Sequence, residues 1–225
     1  MNASPIEEQV RRLLLERKYR ELTLLGKGDR RVWRSMQSQL YQVDEALRWH
    51  AIEAVAVFVR QWWDSGRHEK ALDYMRRLMW SINDESGGIG WSTPQTIAEI
   101  VVAIPQLADP FVSNMIAVAF HEPALMKSGL YAVGRLGPLA RRPMEPFRDD
   151  VLACFDADDP ETLGLAVWAT GKIGMRSALP HLTALENRVE AVRIYLTPCF
   201  HERPLGEWAR LAVARIQRWQ NPGPG

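Results

Sequence analysis

Apolar residues recur along this chain at intervals of three and four, the spacing of a helical face. Ile6, Val10, Leu13 and Leu14 follow Ser4-Pro5, and Glu7 stands three residues after the serine. That is a capping box with proline at the first helical position, so a first helix is predicted from Pro5 to about Leu25. Gly26 and Gly28 end it, and Asp29 opens the next, which carries Val32, Trp33, Met36 and Leu40. Further helices are predicted at Glu45–Trp63, His68–Trp80, Pro94–Leu107 and Pro110–Phe120. No stretch is read as alternating with period two, so no strand is predicted and the expected class is all-α.

The helical pattern stops between Asn83 and Pro94, Asn-Asp-Glu-Ser-Gly-Gly-Ile-Gly-Trp-Ser-Thr-Pro. Asp84 and Glu85 precede three glycines, Trp91 follows them, and Thr93-Pro94 reads as the N-cap and first residue of a new helix. A joint between helices needs only a few residues, so an irregular segment over 82–93 with two carboxylates and a tryptophan is a candidate working surface. Read plainly, it is a long connection with a packed tryptophan.

The chain also repeats itself. A shift of 37 residues places Pro123 on Pro160, Ala132 on Ala169, Gly134 on Gly171, Arg135 on Lys172, Gly137 on Gly174 and Pro143 on Pro180. A shift of 80 from the same segment brings Phe120, His121, Glu122, Leu125, Ala132, Val133 and Arg135 onto Phe200, His201, Glu202, Leu205, Ala212, Val213 and Arg215. A weaker backward shift of 78 places Ala132 and Leu136 on Ala54 and Phe58. Self-similarity at such periods is the mark of a helical-hairpin array.

The stretches Ala132-Val133-Gly134-Arg135-Leu136-Gly137 and Ala169-Thr170-Gly171-Lys172-Ile173-Gly174 resemble HEAT repeats of the phycocyanobilin-lyase-like type. The resemblance implies an α-α superhelix, a HEAT-like solenoid of about five helical hairpins forming a single domain over 1–225, the last lacking its second helix. It specifies a fold and no activity. In a stack of this kind, Asp44 and Glu45, Asp84 and Glu85, His121 and Glu122, Asp158 and Asp159, and His201 and Glu202 fall along one edge. Acidic residues there serve helix N-termini; as an alternative, neighbouring loops would pair Asp84 or Glu85 with His121 or Glu122.

Composition narrows the partners. Charged residues make up 24% of the 225 and the net charge is +1, so any electrostatic function is local. Cys154 and Cys199 lack metal-ligand spacing and read as buried thiols of a reducing compartment. No secretory leader and no long apolar run are evident, which points to the cytoplasm and away from a membrane. Most of the nine tryptophans fall at helical spacing and are expected in the core, with Trp91 and Trp80 as the exceptions beside the irregular segment. Cations concentrate on the second helices, at Arg30, Arg31 and Arg34, at Arg67, Lys70, Arg76 and Arg77, and at Arg141, Arg142 and Arg148. They form either a solvated face offset by acids or a basic wall.

Two enzyme families built from such repeats are disfavoured. Deoxyhypusine hydroxylases carry several His-Glu pairs within the first helices, followed at once by an Ala-Leu-Gly stretch, whereas this chain has two pairs and His121 stands thirteen residues before Gly134. Trp62-Trp63-Asp64-Ser65 is similar to a segment of HEAT-like alkylpurine DNA glycosylases, but Arg67 stands where that family needs a second carboxylate. Gly87-Gly88-Ile89-Gly90-Trp91 has neither a preceding strand nor a phosphate-loop lysine. The expected function is a non-catalytic scaffold, without metal or cofactor, that binds another protein or an acidic peptide through its concave helical face and the Asn83–Trp91 loop, with Arg77, Trp80, Asp84, Glu85, Trp91, His121 and Glu122 as the candidate binding residues. Alternatives are a nucleic-acid or phosphate-binding basic face, and an enzyme with its site at Glu85, Trp91 and His121.

Overall fold

The computed structural model describes residues 4–83 and 90–220. They fall into two compact units, Met1–Phe111 and Val112–Gly225. Helices dominate both.

In the first unit α1 (Pro5–Leu15), α2 (Tyr19–Gly28) and α3 (Arg30–Ser38) pack around α4 (Glu45–Asp64), which also meets α5 (His68–Ile82) and α6 (Thr93–Ala103). The capping box at Ser4 and Glu7 forms as the sequence predicts, and Asp29 and Asp44 cap α3 and α4. The helix expected from Pro5 to Leu25 is broken, with Arg17 in the left-handed region at φ 55°. The break directs Arg17 and Tyr19 at Glu53, a buried carboxylate of α4, with Arg17 at 2.8 Å and the Tyr19 hydroxyl donating to it. A buried charge needs such partners, and three residues of helix, Glu16 to Lys18, are given up to supply them. The core is aromatic: the Trp33 ring lies 4.7 Å from that of Trp62 and 5.1 Å from that of Tyr74.

The second unit takes in most of α7 (Ala108–His121), then α8 (Met126–Leu136), α9 (Pro138–Arg141), α10 (Arg148–Ala153), α11 (Pro160–Ile173), α12 (Leu179–Ala184), β1 (Ala191–Leu196), β2 (Cys199–Pro204) and α13 (Leu205–Gln220). Helix α11 is central, packed between α8 and α13. These are the three helices that the 37- and 80-residue shifts make equivalent. Small residues set their spacing. A Cβ on Gly171 would meet Ala212 Cα at 2.7 Å, and one on Gly134 would enter the Trp168 ring. Gly174 closes α11 in the left-handed conformation, at φ 69°, as its place in the repeat predicts.

Two sequence expectations fail here. The first is the absence of strands: β1 and β2 form an antiparallel hairpin, with Val192 opposite Arg203 and Ile194 opposite His201. Val192 and Ile194 are buried and Arg193 is exposed, a short period-two pattern. Val192 packs on Gly164 of α11, and its carbonyl accepts a bond from Trp208 Nε1 at 3.1 Å. The 80-residue match is therefore structural only from Leu205 onward, since Phe120 and His121 end a helix while Phe200 and His201 lie in a strand. The second concerns the thiols. Cys154 is buried and its thiol donates to the Asp150 carbonyl, but Cys199 is exposed beside the hairpin turn.

Candidate docking site

Helix α5 buries Ala71, Tyr74, Met75, Leu78 and Ile82 on one stripe. That stripe leaves Asp73, Arg76, Arg77 and Trp80 on the other side, all exposed. Arg76 is neutralised by Asp73 at 2.7 Å and approached by Glu69 at 3.8 Å. Arg77 makes no ion pair among the described residues, and neither does Lys70 one helical heptad before it. Burial against the Trp62 ring lowers the pKa of Lys70, as do the positive charges of Arg67, Arg30 and Arg77. Its Nζ lies 4.0 Å from the centre of that ring. The outer side of α5 is thus cationic, and acids offset only part of it.

Beyond α5 the backbone is held at both ends of the irregular segment. Ser81 Oγ lies 3.2 Å from Thr93 Oγ1, and the Thr93 amide donates to the Gly90 carbonyl at 2.8 Å. A side chain at position 90 would strike Thr93 and come within 3.1 Å of Ser81 Oγ, so the clasp requires glycine there. Ser92 is buried and its hydroxyl donates to the Leu40 carbonyl at 2.9 Å. Helix α6 begins at Thr93, with Ser92 at the cap position and no side-chain capping bond. The sequence placed that cap one residue later.

Trp91 stands between two buried, bonded neighbours, yet 72% of it is exposed, and Trp80, next to Ser81, is 76% exposed. The clasp puts the Cα atoms of the two tryptophans no more than about 15 Å apart. Arg77, Trp80 and Trp91 therefore share one region of the first unit. Asp84 and Glu85 lie outside the described residues. So do Gly87, Gly88 and Ile89.

His121 and Glu122 belong to the second unit, and each serves a helix end. His121 Nδ1 is 2.6 Å from the Ala117 carbonyl, with the ring edge-on to Phe147. The Glu122 carboxylate accepts from the Ala124 amide. Asp159 caps α11 in the same manner. Against a desolvation that pulls upward, bonds from the Thr162 hydroxyl and amide and from Lys127 hold its carboxyl down at about 2. Of the described members of the acidic column, Asp44, Glu122 and Asp159 cap helices, and His201 and Glu202 lie on β2. Among the described residues no three His, Cys, Asp or Glu side chains converge as metal ligands would. Asp64, of the Trp-Trp-Asp-Ser segment, is held by both of its oxygens on Arg60 at 2.8 Å.

Sequence reasoning missed a second cluster. Arg135, Lys172 and Arg215 occupy one repeat position on α8, α11 and α13. The structure gathers them around open clefts together with Arg218 and Trp219. The signal was present in the same shifts that aligned the glycines, which superpose Arg135, Lys172 and Arg215, whereas the cations of the second helices lie elsewhere. Trp168 and Trp208 support this cluster from the core, as expected of most tryptophans, while Trp219 is 41% exposed.

No family model matches the chain. Over 122 residues, 52% of its length, it is 30% identical to an uncharacterised protein of Archaeoglobus fulgidus, and the match spans 63% of that relative. Among solved structures it is similar to an archaeal HEAT-like repeats protein from Thermococcus onnurineus NA1, at a TM-score of 0.37 and 11% identity, with 96% of this chain and 98% of that one covered. No helix among the described residues is long and apolar enough to cross a membrane.

Proposed function

We propose that the chain is a non-catalytic interaction module whose first unit docks an acidic segment of another protein along α5 and onto Trp80 and Trp91. The observation that carries this reading is the exposure of two tryptophans on backbone that the Ser81–Thr93 clasp holds in place. Neither ring fills the core, and leaving so much aromatic surface in water costs about 2 kcal/mol or more per side chain relative to burying it. Tryptophan on an ordered surface is the residue most enriched among binding hot spots, because it buries a large area at little entropic cost. Arg77 and Lys70 supply charge without described counter-ions, and an acidic partner complements them.

Peptide selection tests the reading. Random-sequence peptides displayed on phage are selected on the full chain at low and at physiological salt. The proposal expects enrichment of Asp and Glu around an apolar anchor, with affinities that fall as salt rises. Failure to enrich any peptide, or enrichment of neutral or basic ones indifferent to salt, overturns it.

A further inference from the structure

Three stacked helices of the second unit each present a cation at one repeat position: Arg135 on α8, Lys172 on α11 and Arg215 on α13. Arg218 follows one turn beyond Arg215. All four line a cleft of about 540 Å³ that is bordered by Trp219. They also line an adjoining cleft of about 330 Å³, which reaches Arg203 and His201 over Trp168 and Trp208. No Asp or Glu lines either cleft. Lys172, Arg215 and Arg218 make no ion pair among the described residues.

One cation of each helix, Arg135, Lys172 and Arg218, stands in its last turn, where the macrodipole favours positive charge. That accounts for one cation per helix and not for their convergence. Lys172 is half-buried, and burial first, then the positive charges of Arg215 and Arg135, lowers its pKa. A fold that needed only helix ends would have let these side chains diverge into water. Arg203, by contrast, is paired with Glu207 on its own side of the cleft.

We infer that the Arg135, Lys172, Arg215 and Arg218 cleft binds a small ligand carrying two or more phosphoryl groups. Guanidinium forks take two phosphoryl oxygens at once, and the lysine adds a point charge between them. The larger cleft falls in the size range of small-molecule sites. Bound phosphates would supply negative charge that the linings of the two clefts do not contain. The inference is independent of the docking surface on the first unit, and either can fail alone.

Isothermal titration of the full chain with sodium tripolyphosphate, at fixed ionic strength, tests it. Inorganic monophosphate, sulfate and a single-stranded oligonucleotide serve as comparison ligands. Tripolyphosphate should bind more tightly than monophosphate or sulfate, and Lys172→Met and Arg215→Gln should each weaken it by about tenfold or more, the worth of a charge-assisted bond. Two variants on different helices guard against one that fails to fold, and circular dichroism establishes which are folded. Equal binding of all anions, or tripolyphosphate binding untouched in the folded variants, would overturn the site. Oligonucleotide binding that tripolyphosphate does not displace would reassign the cluster to a nucleic-acid backbone and overturn the small-ligand inference.

Discussion

Gly171 and Ala212 are the contact through which α11 and α13 approach each other: a Cβ on the glycine would lie 2.7 Å from the alanine's Cα. The obstacle is backbone, which cannot rotate aside. Gly171→Val should therefore destabilise the protein by roughly 2 kcal/mol or more through overpacking. Gly28 has nothing within 4 Å of the same position and an ordinary φ, so Gly28→Ala should change stability by less than about 0.5 kcal/mol. Urea denaturation of the two variants measures both. Equal midpoints would contradict the packing account.

The two cysteines should react on separate timescales. Cys199 is exposed, whereas Cys154 is buried and burial, with the nearby Asp150 carboxylate, raises the pKa of its thiol. A thiol reagent should label one cysteine of the native chain at once and the second only after denaturant is added. Rapid labelling of both, or labelling of Cys154 first, would place Cys154 nearer the surface than described.

Much of the fold was legible in the sequence, and the losses have identifiable physical causes. Ser4 with Glu7, Asp29, Asp44 and Asp159 are local signals, and each caps the helix it was expected to cap. Gly134, Gly171 and Gly174 were legible because a repeat needs small residues at fixed places. The break at Arg17 was not legible, because it answers to Glu53, a tertiary partner far along the chain. The β-hairpin was hidden by a chance likeness of Phe200-His201-Glu202 to Phe120-His121-Glu122, although Val192, Arg193 and Ile194 carried the alternation. Trp80 and Trp91 stood out because the repeat has no use for them. The cluster at Lys172 arises only when three helices are stacked, and a linear reading sees three unrelated cations on separate helices.

The charge on Lys172 should cost stability at neutral pH. Its folded pKa is lowered by burial and by Arg215 and Arg135, so between the folded and unfolded values the unfolded chain binds more protons. Stability contributed at this site therefore rises as pH climbs through that window, and the cost is fully present below it. Lys172→Met, which removes the charge and keeps an unbranched side chain, should melt higher than the natural chain at pH 7. The gain should shrink as the pH approaches the ordinary lysine value. A lower melting temperature for the variant at pH 7 would contradict a site held against its own stability.

The role of the two exposed tryptophans is decided by measuring stability and binding on one variant. With Trp80 and Trp91 both replaced by alanine, the melting temperature should stay within about 2 °C of the natural chain, since neither ring is packed. Affinity for the acidic peptides selected by the natural chain should fall by about thirtyfold or more, as removal of a hot spot does. A marked drop in melting temperature with peptide affinity retained would show that the rings hold the joint between α5 and α6, and it would contradict the docking account.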